Sequence, residues 1–232
     1  MLSLRKTIPK PHLKKSRGSW LDLAPYFPEN RSCLAAFLAL ETAEVLAGMK
    51  PANLIRINNR RKPCGRNLYH LWHAFGASLL RNSALKVLTL QNTKDAELLL
   101  FYAPNLLKRQ LRKQGVPNFL KTQGYPCSTN LQKTLQELQR RFLLNADLPH
   151  EIGIFLGYPL KDVAGFINRE NQPSTGGKLW RFYGDPAPSL ALCNRFAACR
   201  NRMAERLQSS GNPLMLLQPL PEQIFAKRTR SD

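Results

Sequence analysis

Apolar positions alternate between helical and strand spacing along this chain, and the alternation outlines its elements. From Cys33 to Gly48 the apolar residues Leu34, Phe37, Leu38 and Val45 mark one helix face, with Ser32 placed to cap its start. Leu54 to Ile57 is a short strand candidate. Asn67 to Arg81 reads as a helix through Leu68, Leu71, Trp72, Phe75 and Leu79. Leu85–Leu90 and Glu97–Tyr102 read as two strands joined through Asn92-Thr93-Lys94-Asp95 as a hairpin. Asn105 to Gln114 is a helix stopped by Gly115 and Pro117, and Thr129-x-x-Gln132 is a capping box opening a helix with Leu131, Leu135, Leu138 and Phe142 on one face.

The stretch from Leu148 to Asn168 is the densest. Asp147 and Pro149 suit a helix start, and Glu151 suits its first turn. Ile152, Phe155 and Leu156 repeat at i, i+3, i+4, and so do Val163, Phe166 and Ile167. Between them Gly157-Tyr158-Pro159 makes the turn, with Gly157 suited to a left-handed cap and Pro159 unable to continue the helix. Two short amphipathic helices therefore meet, with small Gly153 where they approach. The outline also fits a helix-turn-helix, whose second helix would offer Lys161, Asn168 and Arg169 to DNA. A helical hairpin within the core is the preferred reading. Beyond it, Ser174 to Gly177 reads as a linker, Leu179 to Tyr183 as a strand, and Ala187 to Leu207 as the last main helix. Helices and strands mix without regular alternation, so the fold class is α+β, a small sheet with a hairpin packed by several helices. The expected organisation is a basic disordered arm over 1–20, one domain over 21–211, and a flexible Pro-rich basic tail over 212–232.

Composition narrows the class. Apolar residues make up 43% of 232, enough for a core. No apolar run approaches the roughly 18 residues of a membrane span, and no secretory signal follows the basic start, so cytoplasm is the expected location and no membrane partner is expected. Cys33, Cys64, Cys127, Cys193 and Cys199 are scattered with no C-x-x-C, which suggests neither a zinc ribbon nor a disulfide framework. The net charge of +20 predicts weak, sequence-indifferent adhesion to nucleic acid. One basic cluster, Lys108, Arg109, Arg112, Lys113 and Lys121, reads as a solvated surface.

The candidate chemistry is sparse. His150-Glu151 lacks the second histidine of a zinc-protease helix, since position 154 is Ile. His70 and His73 share a helix side without a metal-completing neighbour in sequence. Cys33 near a helix start and His150 can be drawn as a nucleophile and base, an enzyme alternative that needs the two to meet. Lys50-Pro51-Ala52-Asn53 is a turn between a helix and a strand. It is a ligand loop or a helix cap in which Lys50 complements the dipole. Gly157-Tyr158-Pro159 and Tyr183-Gly184-Asp185 are similar turns, and the three together are candidates to line one pocket. The candidate ligand residues are Lys50, Asn53, His150, Glu151, Tyr158, Tyr183 and Asp185. No catalytic or metal residue and no cofactor is assigned.

The segment Leu148–Asn168, the run Leu46-Ala47-Gly48-Met49-Lys50-Pro51-Ala52-Asn53-Leu54, the turn Gly124-Tyr125-Pro126, the run Trp180-Arg181-Phe182-Tyr183-Gly184-Asp185 and Cys199 together resemble the bacterial domain-of-unknown-function family DUF3793. The resemblance covers roughly residues 33 to 206. The family often has Cys-Ala-Pro-Thr before Leu-Ala-Gly, where this chain has Thr42-Ala43-Glu44-Val45. The family setting, anaerobic bacteria and genes near flavodoxin or iron uptake, implies redox or iron physiology and a possible redox protein partner. The expected function is a non-catalytic ligand- or partner-binding protein. The alternatives are a DNA-binding regulator and a Cys/His enzyme.

Overall fold

A computed structural model describes residues 19–126, 130–144, 148–168, 174–175, 179–210 and 212–218. Residues 1–18 of the basic arm, Cys127, Thr129, Asp147, Arg169 and most of the C-terminal tail lie outside the described residues, while Trp20, placed in the arm by sequence, is buried in the first helix.

The centre is a three-stranded antiparallel sheet of β1 (Ala52–Asn58), β2 (Lys86–Asn92) and β3 (Ala96–Tyr102), in the order β1-β3-β2. The β2–β3 hairpin closes where the Thr93 backbone N–H donates to the Ala96 carbonyl (2.9 Å). One extra residue in β2, between Thr89 and Gln91, bulges the pairing with β3.

Strand alternation divides the core. Leu99 and Phe101 of β3, with Ile55 and Ile57 of β1, face one cluster. Leu98, Leu100 and Tyr102, with Ala52 and Leu54, face the other. The first face is covered by α2 (Asn30–Glu41), α4 (Leu68–Leu80), the end of α10 (Ala187–Ser210) and α11 (Pro213–Leu216). The second is covered by α5 (Pro104–Leu111), α6 (Val116–Thr122), α7 (Leu131–Leu144), α8 (Ile152–Phe155) and α9 (Leu160–Ile167). The α+β architecture is thus a sheet sandwiched between helices. A two-stranded pair, β4 (Ser174–Thr175) with β5 (Phe182–Tyr183), and two short helices, α1 (Trp20–Leu23) and α3 (Ala43–Leu46), complete it.

Several boundaries differ from the sequence reading, each for a local reason. The helix drawn from Cys33 to Gly48 starts at Asn30 and breaks at Thr42, whose hydroxyl bonds back to the Leu38 carbonyl (2.7 Å). Ser32 is inside α2 and donates to the Glu29 carboxylate (2.5 Å) instead of capping. The helix expected from Asn105 to Gln114 runs from Pro104 to Leu111, and Pro117, expected as a stop with Gly115, lies in the first turn of α6 behind a left-handed Gly115, because proline suits a first turn. Asn130 accepts the Gln132 N–H (2.9 Å) at the start of α7. The strand at Leu179–Tyr183 shrinks to Phe182–Tyr183, and its partner Ser174–Thr175 comes from the expected linker. Residues 213–217, placed in the tail by sequence, include a helix whose Leu216 and Leu217 are buried in the first core cluster.

The hairpin of α8 and α9 forms as its spacing predicts, although α8 is a single turn. A Cβ on Gly153 would lie 2.8 Å from Val163, so glycine is what lets the two helices touch. Val163, Ile152, Phe155 and Leu156 are buried, whereas Phe166 and Ile167 are half-buried at the open side of the pair.

Candidate functional site

The three turns singled out by sequence come together at the edge of the sheet. Gly48, in the left-handed region (φ 73°), ends α3, and the Met49 and Lys50 N–H groups both bond the Glu44 carbonyl (2.9 and 3.1 Å). Pro51 then leads into β1. Gly157, also left-handed (φ 80°), lies against it, and a Cβ there would stand 2.5 Å from Pro51 Cδ. The Gly48–Asn53 turn and the Gly157–Pro159 turn are therefore one packed unit.

The third turn is fixed to them through Asp162. This carboxylate is fully buried and accepts from the Trp180 indole (2.8 Å), the Tyr183 N–H (2.9 Å), the Ser189 hydroxyl (2.5 Å) and Lys161 Nζ (2.8 Å). Burial alone would raise its pKa. The hydrogen bonds from Lys161, Ser189, the Tyr183 backbone and Trp180 outweigh that and hold the carboxyl below its ordinary value. Lys161 Nζ also donates to the Tyr183 and Asp185 carbonyls (2.7 and 2.9 Å). A Cβ on Gly165 would overlap the Tyr183 ring, so that ring rests directly on α9. Trp180, so anchored, stacks on Tyr158 (4.2 Å between centroids, 19° between planes).

Lys50 is at the junction. Its Nζ lies 5.5 Å from the Tyr158 ring centroid and 5.3 Å from that of Phe196, on α10. No hydrogen bond or ion pair engages this ammonium among the described residues. Burial pulls its pKa down to about 8, against the smaller upward pulls of Glu44 and Cys193. Glu44 is itself buried and takes a hydrogen bond from Asn53 Nδ2 (2.7 Å), which also bonds the Glu41 carbonyl (2.7 Å). Burial, first, and the nearby acids push the neighbouring Cys193 thiol up to about 11 and the Tyr158 phenol up to about 12. Both stay protonated where Lys50 titrates.

Two cavities flank Tyr158. One, about 430 Å³, is apolar, lined by Leu54, Phe166, Leu179 and Trp180, with His150 and Arg181 at its polar edge. The other, about 380 Å³, runs between the Lys50–Pro51 turn, α5 and the start of α10. Its lining carries Lys50, Arg109, Lys113 and Arg195 and, among the described residues, no carboxylate. The basic cluster read as a solvated surface is thus divided by helical phase: Arg109 and Lys113 turn into this groove, while Lys108 and Arg112 line cavities on the other side of α5.

A family model described as "Protein of unknown function (DUF3793)" matches residues 38–217. The chain belongs to the DUF3793 family. No curated protein and no solved structure matches it.

In this DUF3793 protein the candidate residues separate into distinct places. Lys50 and Tyr158 meet at the groove, and Asn53 stands behind Lys50 as the anchor of Glu44. His150 packs edge-on against Phe166 at the apolar cavity (4.8 Å). Glu151 is buried and taken up by the Tyr125 hydroxyl (3.2 Å) and Arg141 (3.0 Å), a lock between the Gly124-Tyr125-Pro126 turn and the start of α8. Tyr183 is buried on α9, and the Asp185 carboxylate caps the Ala187 N–H (3.0 Å). Of the DNA-contact candidates, Lys161 is held by its three acceptors and Asn168 ends α9 at the surface.

Cys33 lies in the fourth position of α2, inside the first core cluster, with Arg66 as its polar neighbour (3.5 Å). Burial raises its pKa, more than Arg66 lowers it. His150 packs beside the helices on the other side of the sheet. His73 faces the buried Glu97 of β3 (3.2 Å), and His70 faces Asn59 (3.0 Å). Glu44, Asp162, Phe196 and Cys193 were not among the candidates. Asp162 had one available signal, an acid in the first turn of a short, mostly apolar helix.

Proposed function

We propose that this protein binds a small, multiply charged anion in the groove between the Lys50–Pro51 turn, α5 and the start of α10. One observation carries the reading: among the described residues no hydrogen bond or ion pair engages the Lys50 ammonium, which sits among aromatic rings with only the weaker pull of nearby Glu44 and Cys193, in a groove whose described lining holds further cations and no carboxylate. A dehydrated, unpaired ammonium is unfavourable on its own. A phosphate, polyphosphate or polycarboxylate would relieve it and take charge-assisted hydrogen bonds from Arg109, Lys113 and Arg195 at the mouth. Tyr158, with its phenol protonated, would add a neutral donor.

The reading places the protein in the cytoplasm, supported by the free thiols of Cys33, Cys64 and Cys193. No described helix is long and apolar enough to cross a membrane. A redox or iron setting is part of the reading through the family resemblance alone. A DNA-regulator role is disfavoured by the engagement of Lys161.

Calorimetric titration with inorganic pyrophosphate at pH 7 tests the reading. Lys50→Met and Arg109→Ala should each weaken binding on the order of tenfold, about 1.4 kcal/mol. Lys94→Ala, on the β2–β3 hairpin, should leave it unchanged. Equal losses from all three, or no binding by the wild type, would overturn it.

A further inference from the structure

We infer that Lys50 is a covalent capture residue, forming an imine with a carbonyl compound that also bears an anionic group. The inference rests on the anion-binding reading and specifies its ligand class. Three features of the groove support it. Lys50 lines the cavity, and its amine lies over the faces of Tyr158 and Phe196, where burial disfavours its charge. No described group bonds it, so its nitrogen lone pair is not tied up when the proton leaves. Arg109, Lys113 and Arg195 line the same groove and provide for an anionic group while Lys50 faces the reacting carbon. Desolvation in a hydrophobic pocket, or a neighbouring cation, is how proteins make a lysine nucleophilic near neutral pH.

The chemistry is balanced without a redox partner. The neutral Lys50 nitrogen attacks the carbonyl carbon, and the carbon–oxygen π pair moves to oxygen. The oxygen gains a proton and the nitrogen loses one, giving a carbinolamine. The nitrogen lone pair then expels the hydroxyl as water after a second protonation, and loss of the last N–H proton leaves the neutral C=N bond. Added water reverses every step. With a pKa of about 8, about a quarter of Lys50 is neutral at pH 7.5, against on the order of one part in a thousand for an ordinary lysine.

Trapping by borohydride tests this on the intact chain. The probes are pyridoxal 5′-phosphate and its phosphate-free counterpart pyridoxal, each at low concentration and pH 7.5, with labelled lysines located by peptide mass spectrometry. The expected result is labelling of Lys50 by the phosphate probe on the order of ten times faster than any other lysine. Pyridoxal should label Lys50 more slowly, and Arg109→Ala should reduce only the labelling by the phosphate probe. Labelling spread over surface lysines, with Lys50 no faster than the rest, would overturn the inference. Equal labelling of Lys50 by both probes would overturn its anionic component. The two readings fail separately. Pyrophosphate that binds while Lys50 stays unlabelled leaves the binding reading standing and removes the imine. Fast, phosphate-indifferent labelling without pyrophosphate binding removes the anion site.

Discussion

Lys161 and Lys50 stand beside two of the three turns that meet at the sheet edge, and their surroundings treat the two charges in opposite ways. Lys161 donates to a buried carboxylate and to two carbonyls from the Tyr183–Asp185 turn. Its charge is spent within the fold, joining α9 to the approach of α10. Lys50 faces two aromatic rings, keeps no such partner, and is pulled down to about 8 by burial. An ammonium with every proton satisfied is a clamp. An ammonium kept dehydrated and unsatisfied marks a place where something else belongs, because the fold would be more stable with an apolar side chain there.

The largest test of this contrast removes the acceptor that Lys161 serves. Asp162→Ala would leave the Trp180 indole, the Tyr183 N–H, Ser189 and Lys161 without their shared partner, and should cost about 3–5 kcal/mol in urea melts. Because its carboxyl is held below its ordinary value, the stability it contributes is complete above about pH 4 and fades as pH falls through the folded-state value. The variant should accordingly show a flatter loss of stability in acid. A change under about 1 kcal/mol would remove Asp162 as the joint between the turns.

The packing of the two glycine turns comes next. Gly157→Ala asks alanine to adopt φ 80° with its Cβ 2.5 Å from Pro51 Cδ. It should destabilise by about 2–3 kcal/mol and weaken pyrophosphate binding, since relief of the clash displaces the turn that carries Lys50. Unchanged binding in a folded variant would show that the two turns are packed together without being coupled to the groove.

The lysines themselves should then give effects of opposite sign. Lys161→Met should destabilise by about 1–2 kcal/mol through its lost hydrogen bonds. Lys50→Met should stabilise by about 1–2 kcal/mol at pH 7, a discounted share of the shift from 10.5 to about 8. The sign follows from proton counting. Between pH 8 and 10.5 the unfolded chain holds the Lys50 proton more firmly than the folded one, so this group makes wild-type stability rise with pH in that window. The advantage of Lys50→Met should therefore shrink toward zero across it. Destabilisation by Lys50→Met at pH 7 would make Lys50 a second clamp and erase the contrast.

What the sequence made legible were features set by near neighbours. The left-handed turn at Gly157, the helix α4, the strand β3 and the close approach at Gly153 are all local, and each was readable from residue type and spacing. Lys50 and Tyr158 were readable as turn residues that could share a pocket, but not as an ammonium over an aromatic ring. The functional contrast depends on longer reach. Apart from the adjacent Lys161, Asp162 finds its donors 18 to 27 residues downstream, so its neighbours in sequence do not announce a buried carboxylate. Phe196 and Cys193 come to Lys50 from α10, and the phase of α5 decides which cations face the groove. Pro117 misled because the same residue ends one helix or begins the next, and only packing against the second core cluster selects the latter.

The smallest expected effect concerns nucleic acid. Binding to duplex DNA should be weak, salt-sensitive and indifferent to sequence, with Lys161→Ala changing the salt slope by much less than one unit. A preferred duplex sequence lost in that variant would move Lys161 from clamp to contact.

The account stands most directly on the charge state of one side chain. Side-chain ¹⁵N resonances of lysine, followed by NMR from pH 6 to 11 with and without saturating pyrophosphate, report it. The account predicts that Lys50 titrates near 8 in the free protein and moves upward by about one unit or more when the anion is present. A Lys50 that titrates near 10.5 and is unmoved by pyrophosphate would contradict it.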